Sequence, residues 1–253
     1  MVGDNLQSIS AKLPSAVKLV AVSKFHPVSR LMEAYEAGQR IFGENRPQEL
    51  AAKVPQMPAD VQWHFIGHLQ TNKLKLVLPY VSLVQSVDSF HLLEAIDKWG
   101  RDNGRVIDVL LELHLGAEET KHGFSEEDIL LCCGRTPSET LRSQSDLRPS
   151  HKWAPPSHVP RVAQVSEGAL PPLENVRIRG LMGMATNTED EGVIEADFAR
   201  IEALFNRIRT EHPALRDTFT ELSIGMSGDW PIAVRHGATM VRIGTDIFGP
   251  REY

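Results

Sequence analysis

Cysteine is scarce in this chain, and its scarcity limits what can hold the fold together. The 253 residues include two cysteines, Cys132 and Cys133, which are adjacent. Adjacent cysteines cannot link distant parts of a fold, so the sequence predicts a reduced, intracellular protein. We interpret both as buried thiols without a reactive role, because no CxxC spacing or nearby histidine motif accompanies them.

The sequence also lacks a strong excess of charge and any long apolar run. The formal net charge is -6 and the pI is near 5.9, which argues against a general binder of nucleic acid or anionic membranes. Residues 1–24 contain no basic segment followed by a long apolar run, so we expect neither a secretory signal nor a transmembrane span. The sequence therefore predicts a cytoplasmic protein with no nucleic-acid or membrane partner.

What the sequence does contain is an alternation of short, branched apolar runs with longer amphipathic stretches, of which 89–102 and 190–211 are the clearest helices. This alternation is typical of α/β proteins with parallel strands. The predicted strands are residues 18–24, 40–45, 62–67, 83–87, 106–115, 176–185, 221–227 and 240–245. Eight such units favour one closed (β/α)8 TIM barrel over an open sheet, which would leave two edges to protect.

One stretch interrupts this alternation. Residues 135–172 contain seven prolines and six serines, a composition that cannot supply a core. We expect a surface insertion in a single domain that spans residues 1–253, and a partner-docking loop is the alternative.

Lys24 ends the first predicted strand. It shares its phase with Val20 and Val22, so the three side chains should point into the barrel. Burial would lower the pKa of the Lys24 ammonium and give a neutral amine that attacks an aldehyde to form an imine. The pattern of this strand alone also allows a lysine that merely ends a strand and reaches solvent.

The last two predicted strands end in segments rich in glycine and hydroxyl groups. Residues 225–228 (GMSG) close the seventh strand, and Gly244 and Thr245 close the eighth. Loops after strands 7 and 8 of such barrels commonly bind phosphate, and a short helix opened by Asp229 and Trp230 would face the same anion. Each segment alone could equally be a tight turn.

Arg242 should lie on the same face as Gly244 and about 6.6 Å deeper, at about 3.3 Å per residue. An arginine so placed could donate to the ring nitrogen of a cofactor whose phosphate is held at Gly244 and Thr245. The alternative is an ion pair between Arg242 and a buried carboxylate, for which Glu44 is the candidate.

Two other kinds of site are only weakly indicated. His64 and His68 share a strand face, but no complete set of metal ligands accompanies them, so we do not predict a metal site. Residues 225–229 depart from the G-x-S-x-G motif of serine hydrolases at its final glycine, and nothing else indicates a catalytic triad.

The motifs taken together closely resemble the pyridoxal phosphate homeostasis protein family. The matching segments, in chain order, are LVAVSK, FGEN with QEL, WHFIGHLQTNK, QSVDS, RGLMGMA, LSIGMSGD and VRIGTDIFGPR. They run from Leu19 to Arg251 and leave only the insertion unmatched. The family is similar in fold to the barrel domain of alanine racemases.

This resemblance implies that the protein binds pyridoxal 5′-phosphate (PLP) as a Schiff base on Lys24. The implied cofactor-binding residues are Lys24, Asn45, Met226, Ser227, Arg242, Gly244 and Thr245. Ser227, Gly244 and Thr245 would bind the phosphate, Arg242 would approach the pyridine nitrogen, and the others would line the pocket. The resemblance also implies a non-catalytic role in PLP homeostasis, with apo PLP-dependent enzymes as recipients of the cofactor.

Two other hypotheses compete with this one: a PLP-dependent amino-acid racemase or lyase, and a Schiff-base aldolase that uses no cofactor. A racemase needs a second acid or base on the far face of the cofactor, and the sequence continues for only eight residues after Thr245. We therefore expect a far face that is open to solvent, which favours loading and release of the cofactor, and a monomeric protein.

Overall fold

The computed structural model describes residues 1–116, 123–134 and 172–250. Eight parallel strands in these ranges close into a barrel in chain order, and the eighth strand pairs with the first. The strands are β1 Lys18–Val22, β2 Ile41–Glu44, β3 Gln62–Phe65, β4 Val81–Val87, β5 Ile107–Leu113, β6 Val176–Gly183, β7 Glu221–Ser223 and β8 Met240–Ile243. The (β/α)8 barrel predicted from the sequence is confirmed.

The α-helices in the described part of the chain are α1 Val2–Ser10, α2 Val28–Glu36, α3 Pro47–Lys53, α4 Leu74–Val77, α5 Phe90–Asp102, α6 Glu126–Cys133, α7 Glu191–Glu211, α8 Trp230–Arg235 and α9 Thr245–Phe248. The two clearest predicted helices are α5 and α7. Ser89 and Asp190 precede them as N-caps and accept backbone N–H groups of the first turn, as short polar side chains favour. None of these described helices combines the length and the apolar character needed to cross a bilayer.

The strands that carry the predicted site are shorter than the sequence suggested. β1 ends at Val22 rather than Lys24, and β7 ends at Ser223 rather than at residue 227. The residues at these ends keep single backbone hydrogen bonds to the neighbouring strands, from Ser23 to Gly43 and from Arg242 to Gly225, but the chain there already leaves the barrel toward the next helix. Predicted strand residues thereby become part of the rim.

The two faces of the barrel wall are filled differently. Side chains on the outer face pack against the helices in the main core, and the interior holds a smaller apolar cluster of Val20, Leu83, Leu110, Met182 and Met240. Two residues further along β4, β5 and β8, the buried residues are polar: Gln85, Glu112 and Arg242. Because alternate residues of a strand share a face, a polar layer lies above the apolar one, toward the C-terminal rim.

The insertion predicted at residues 135–172 remains an expectation, because residues 135–171 lie outside the described residues.

Cys132 and Cys133, at the end of α6, are both buried, and burial raises the pKa of the Cys133 thiol to about 12. A thiol that keeps its proton is a poor nucleophile, which agrees with our interpretation of this pair as unreactive.

Candidate functional site

The C-terminal ends of β1 and β8 place two of the predicted site segments side by side. β8 pairs with β1, with Val20 opposite Arg242. A Cβ atom on Gly244 would lie 3.2 Å from both the Cβ and the carbonyl oxygen of Val22. Gly244 therefore allows the two strand ends to approach closely, and Lys24 follows Val22 on the neighbouring loop of the same rim.

Lys24 lies in a turn after β1, where it is partly buried. The prediction that the first strand includes this lysine was wrong by two residues. The chain reverses at Phe25, whose φ of +69° is the one positive value at a non-glycine residue in the described ranges. Lys24 thus sits at the mouth of the barrel and not within its wall.

The loop between β7 and α8 leaves open space beside Gly228 that an anion could occupy. Gly225 has a φ of +93°, and a Cβ atom there would lie 2.6 Å from the Cβ of Ala233, so only glycine lets the loop fold against α8. A Cβ atom on Gly228 would meet nothing within 4 Å. This leaves room for a bound group beside Gly228 and the partly buried Ser227.

Asp229 binds the backbone of this loop through its side chain. It is the N-cap residue of α8, and its Oδ1 accepts the backbone N–H of Met226. That N–H group is therefore already bonded, and any contact of Met226 with a ligand would come from its side chain, which is 38% exposed. Thr245, which opens α9, is also exposed, so this part of the rim faces solvent.

Arg242 lies at the buried floor of the rim. Its Nη1 donates to the carbonyl oxygen and Oγ of Ser223, both at 2.7 Å, and its Nη2 donates to the carbonyl oxygen of Gly183 at 2.9 Å. Burial lowers the pKa of Arg242 to about 10, against the opposing effect of Glu112 and Asp229. The guanidinium is therefore fixed in place and charged at neutral pH.

The alternative that Arg242 pairs with Glu44 is not supported by the structure. Glu44 shares its phase on β2 with Phe42, which packs in the outer core, so the carboxylate lies on the helix side of the wall. There it accepts hydrogen bonds from Ser23 and Lys53. The sequence could not show on which face of the barrel wall Glu44 lies, because β2 is buried on both faces.

A polar chain crosses the barrel interior from Arg242 to His64. Ser223 Oγ donates to Gln85 Oε1 at 2.8 Å, and Gln85 Nε2 donates to His64 Nδ1 at 2.8 Å. Burial lowers the pKa of His64 to about 3, so this ring is neutral at physiological pH. Sequence reasoning missed Gln85 and Ser223, although a polar residue in an apolar strand, in phase with inward-facing neighbours, was an available signal.

The two histidines considered as metal ligands have separate partners. His64 bonds to Gln85, whereas His68 Nδ1 lies 2.7 Å from Asp88 Oδ2. No group of three or more metal-ligating side chains occurs within residues 1–116, 123–134 and 172–250. The contacts of these two histidines therefore give no support to a shared site.

Asn45 offers a buried acceptor at the end of β2. A Cβ atom on Gly67 would lie 2.5 Å from the carbonyl oxygen of Asn45, which shows how tightly this segment packs against the end of β3. Asn45 Oδ1 is buried and has no hydrogen-bond partner among the residues that the structure describes. Buried polar atoms are normally hydrogen-bonded, so this oxygen is suited to a donor on a bound group.

Glu112 should make stability depend on pH. Burial raises the pKa of Glu112 to about 7, Asp88 raises it further and Arg242 opposes the increase. The unfolded chain loses this proton near pH 4.5, so the stabilisation is complete below that pH and is lost as the pH rises through 7. The resulting difference in unfolding free energy between low and high pH is at most about 3 kcal/mol. Glu112→Gln should remove this pH dependence, so the variant should gain stability relative to the wild type as the pH rises from 5 to 8. Urea unfolding at the two pH values measures the gain.

Glu174→Gln, a change at an exposed position, is the matched control and should follow the wild type at both pH values. An equal pH dependence in wild type and Glu112→Gln would show that Glu112 ionises normally.

The closed barrel, the lysine after β1 and the glycine segments after β7 and β8 define a barrel of the alanine racemase class. The family model described as "Alanine racemase, N-terminal domain" matches residues 2–140. Alanine racemase from E. faecalis has a TM-score of 0.66 at 16% identity, and the match covers 98% of this chain and 57% of that one. The latter is a likeness of fold alone.

Within that class, the chain belongs to the pyridoxal phosphate homeostasis protein family. It is 34% identical over 248 residues to the member from Pasteurella multocida, covering 96% of this chain and 91% of that protein. The Haemophilus influenzae member is 31% identical, with 98% and 95% covered. The structure of PipY from Synechococcus elongatus with PLP bound has a TM-score of 0.78 at 34% identity and covers 98% of this chain. The resemblance inferred from the motifs is confirmed.

Proposed function

We propose that this protein binds PLP at the rim of the barrel, as a Schiff base on Lys24, and serves PLP homeostasis. The observation that carries the proposal is the close approach of Gly244 to Val22, which supports a site formed by the glycine segment after β8 and the loop that holds Lys24. The relatives support it, since they are named pyridoxal phosphate homeostasis proteins and the PipY structure contains PLP.

The residues of the rim fit such a cofactor. Ser227 and Thr245 offer hydroxyl donors, and Gly244 lets a phosphate approach the backbone. Arg242 presents a fixed cation at the floor of the rim, where a pyridine nitrogen would be its partner, and Asn45 Oδ1 supplies a buried acceptor. When bound, PLP contributes an aldehyde that condenses with primary amines.

We infer a carrier and not an enzyme. Arg242 remains charged and opposes protonation of a ring nitrogen beside it, which weakens the cofactor as an electron sink. Thr245 is exposed and Met226 is 38% exposed, and a solvent-facing rim favours loading and release over controlled proton transfer. The proposal includes apo PLP-dependent enzymes as recipients, a cytoplasmic location and a monomeric state.

Borohydride reduction followed by mass spectrometry tests the cofactor site. Protein purified with PLP should be yellow, lose its visible imine absorption on reduction, and carry one pyridoxyl adduct on the tryptic peptide that contains Lys24. Lys53 is the internal control, because it is a buried lysine near the same turn. An adduct on Lys53, or adducts scattered over exposed lysines, would contradict the proposal.

Assays with amino acids separate the carrier from the racemase or lyase. The PLP-loaded protein is expected to leave D- and L-amino acids unchanged over hours. Sustained turnover that disappears in Lys24→Ala would establish the enzyme instead. Protein that is colourless after incubation with PLP, yet traps a sugar aldehyde on Lys24, would indicate the aldolase.

A further inference from the structure

The turn that carries Lys24 is anchored at its preceding residue. Ser23 Oγ donates to Glu44 Oε1 at 2.6 Å, and Lys53 Nζ donates to the carbonyl oxygen of Ser23 at 2.8 Å. Ser23 and Glu44 are both fully buried. The backbone immediately before Lys24 is thus tied to β2 and to the last residue of α3.

The turn is anchored at its following residue as well. The backbone N–H of Phe25 donates to Glu49 Oε1 at 2.7 Å, and the guanidinium of Arg46 lies 4.5 Å from the centre of the Phe25 ring. Phe25 has a φ of +69°, a conformation that non-glycine residues adopt only where the surroundings enforce it. Glu49 and Arg46 supply that enforcement from α3 and its N-cap.

Lys53 joins the two anchors. Its ammonium donates to Glu44 Oε1 at 2.8 Å, to Glu49 Oε1 at 2.7 Å and to the carbonyl oxygen of Ser23. An ammonium has three N–H donors, so all of them are used. Lys53 is only 6% exposed, and two of its three acceptors are carboxyl oxygens. Its amine is therefore occupied by structural hydrogen bonds and is not a second amine for an aldehyde.

The cluster acts from outside the barrel. Glu44 lies on the outer face with Phe42, and Lys53 is on α3; both contact the turn through Ser23. An amine that must attack an aldehyde gains from being held in one orientation, because the entropy of positioning is already lost before the reaction. The anchors on both sides of Lys24 provide that restriction.

We propose that Lys53, together with Glu44 and Glu49, forms a positioning cluster that holds the turn from Ser23 to Phe25 and so presents the amine of Lys24 to PLP. This inference rests on the proposed function. It assigns a role to the acidic residues of the FGEN and QEL segments that the cofactor site itself does not use.

Two measurements on the same variants test the positioning cluster. The first, hydrogen exchange of the Phe25 amide by NMR, uses protein without PLP and reports on the turn alone. The second is the rate at which the borohydride-trapped adduct forms on Lys24 after PLP is added. In Glu49→Gln and Lys53→Met we expect amide exchange at least about tenfold faster and adduct formation about tenfold slower. Lys53→Arg should restore part of both.

Lys98→Met is the matched control. Lys98 and Asp102 form an i, i+4 ion pair on α5, as Glu49 and Lys53 do on α3, but the Lys98 side chain is 67% exposed. It should match the wild type in both measurements. Glu49→Gln keeps the test usable if Lys53→Met does not fold, because Glu49 is partly exposed and the amide preserves its shape.

The outcomes separate the inference from the proposed function. A wild-type adduct on Lys24 that forms at an unchanged rate in folded Glu49→Gln and Lys53→Met would overturn the positioning role and leave the cofactor site intact. A purely structural cluster would lower the melting temperature of these variants and leave the rate of adduct formation unchanged, which would likewise overturn the positioning role. A wild-type protein without an adduct on Lys24 would overturn the proposed function, whatever the amide exchange shows.

Discussion

Lys24→Ala is expected to abolish the visible imine absorption of the PLP-loaded protein and the borohydride-stable adduct. The affinity for PLP should fall by on the order of 100-fold, equivalent to about 2.7 kcal/mol, because only the phosphate and ring contacts would remain. The unfolding free energy should change by less than about 1 kcal/mol, since Lys24 is in a turn and outside the strand ladder. Absorption spectra, equilibrium dialysis and urea unfolding measure the three quantities.

A matched variant shows whether this effect belongs to Lys24. Lys73→Ala removes a lysine from the short 3-10 helix that precedes α4, and should bind PLP like the wild type. Methylamine added to PLP-loaded Lys24→Ala should restore part of the imine absorption, because it supplies the missing amine in solution. Persistent imine absorption in Lys24→Ala without added amine would mean that another lysine carries the cofactor.

Arg242→Met is expected to lower the unfolding free energy by about 3–5 kcal/mol. The guanidinium makes three hydrogen bonds to Ser223 and Gly183, and these acceptors would be left buried without their donor. Glu112 and Asp229 would also lose the cation that opposes the increase in their pKa values. Urea unfolding at pH 7 gives the free energy, and the change should be smaller at pH 5, where more of the Glu112 population is protonated.

Two further arginine variants show whether that loss of unfolding free energy is specific to the buried guanidinium. Arg177→Met removes an arginine that is half exposed and paired with Asp108, so it should cost less than about 1 kcal/mol. Arg242→Lys keeps the charge but cannot reproduce the fork of hydrogen bonds, and its stability should lie between those of Arg242→Met and the wild type. If Arg242→Met were as stable as the wild type, the guanidinium would not be what holds the polar layer together.

The strands, and the residues that follow them at the rim, were largely predictable from the sequence. Branched apolar runs mark β1 to β8, and the polar or glycine residues that follow them mark the rim, because both signals are local. Lys24, Gly244 and Thr245 were recognised in this way. The strand ends were less accurate, since the point at which the chain leaves the ladder depends on the neighbouring strand.

The interaction partners of the buried polar and charged side chains could not be predicted from the sequence. Ser223 and Gln85 are 138 residues apart, yet closure of the barrel brings their side chains together. The partner of Glu44 could not be chosen from the sequence, because a strand buried on both faces gives no sign of which side chain faces inward. Lys53 was not singled out from the sequence, and only the packing of α3 against the turn after β1 makes it a buried residue with three acceptors.

The sequence by itself determined the number and order of the strands, the family, and the lysine and glycine segments that form the candidate site. These features are encoded by residue type and short-range periodicity, which do not require knowledge of distant contacts. Only the tertiary structure decided which face of β2 carries Glu44, how the polar layer beneath the rim is bonded, and what holds the turn around Lys24. Those contacts join residues from different strands and helices, and their geometry exists only once the barrel has closed.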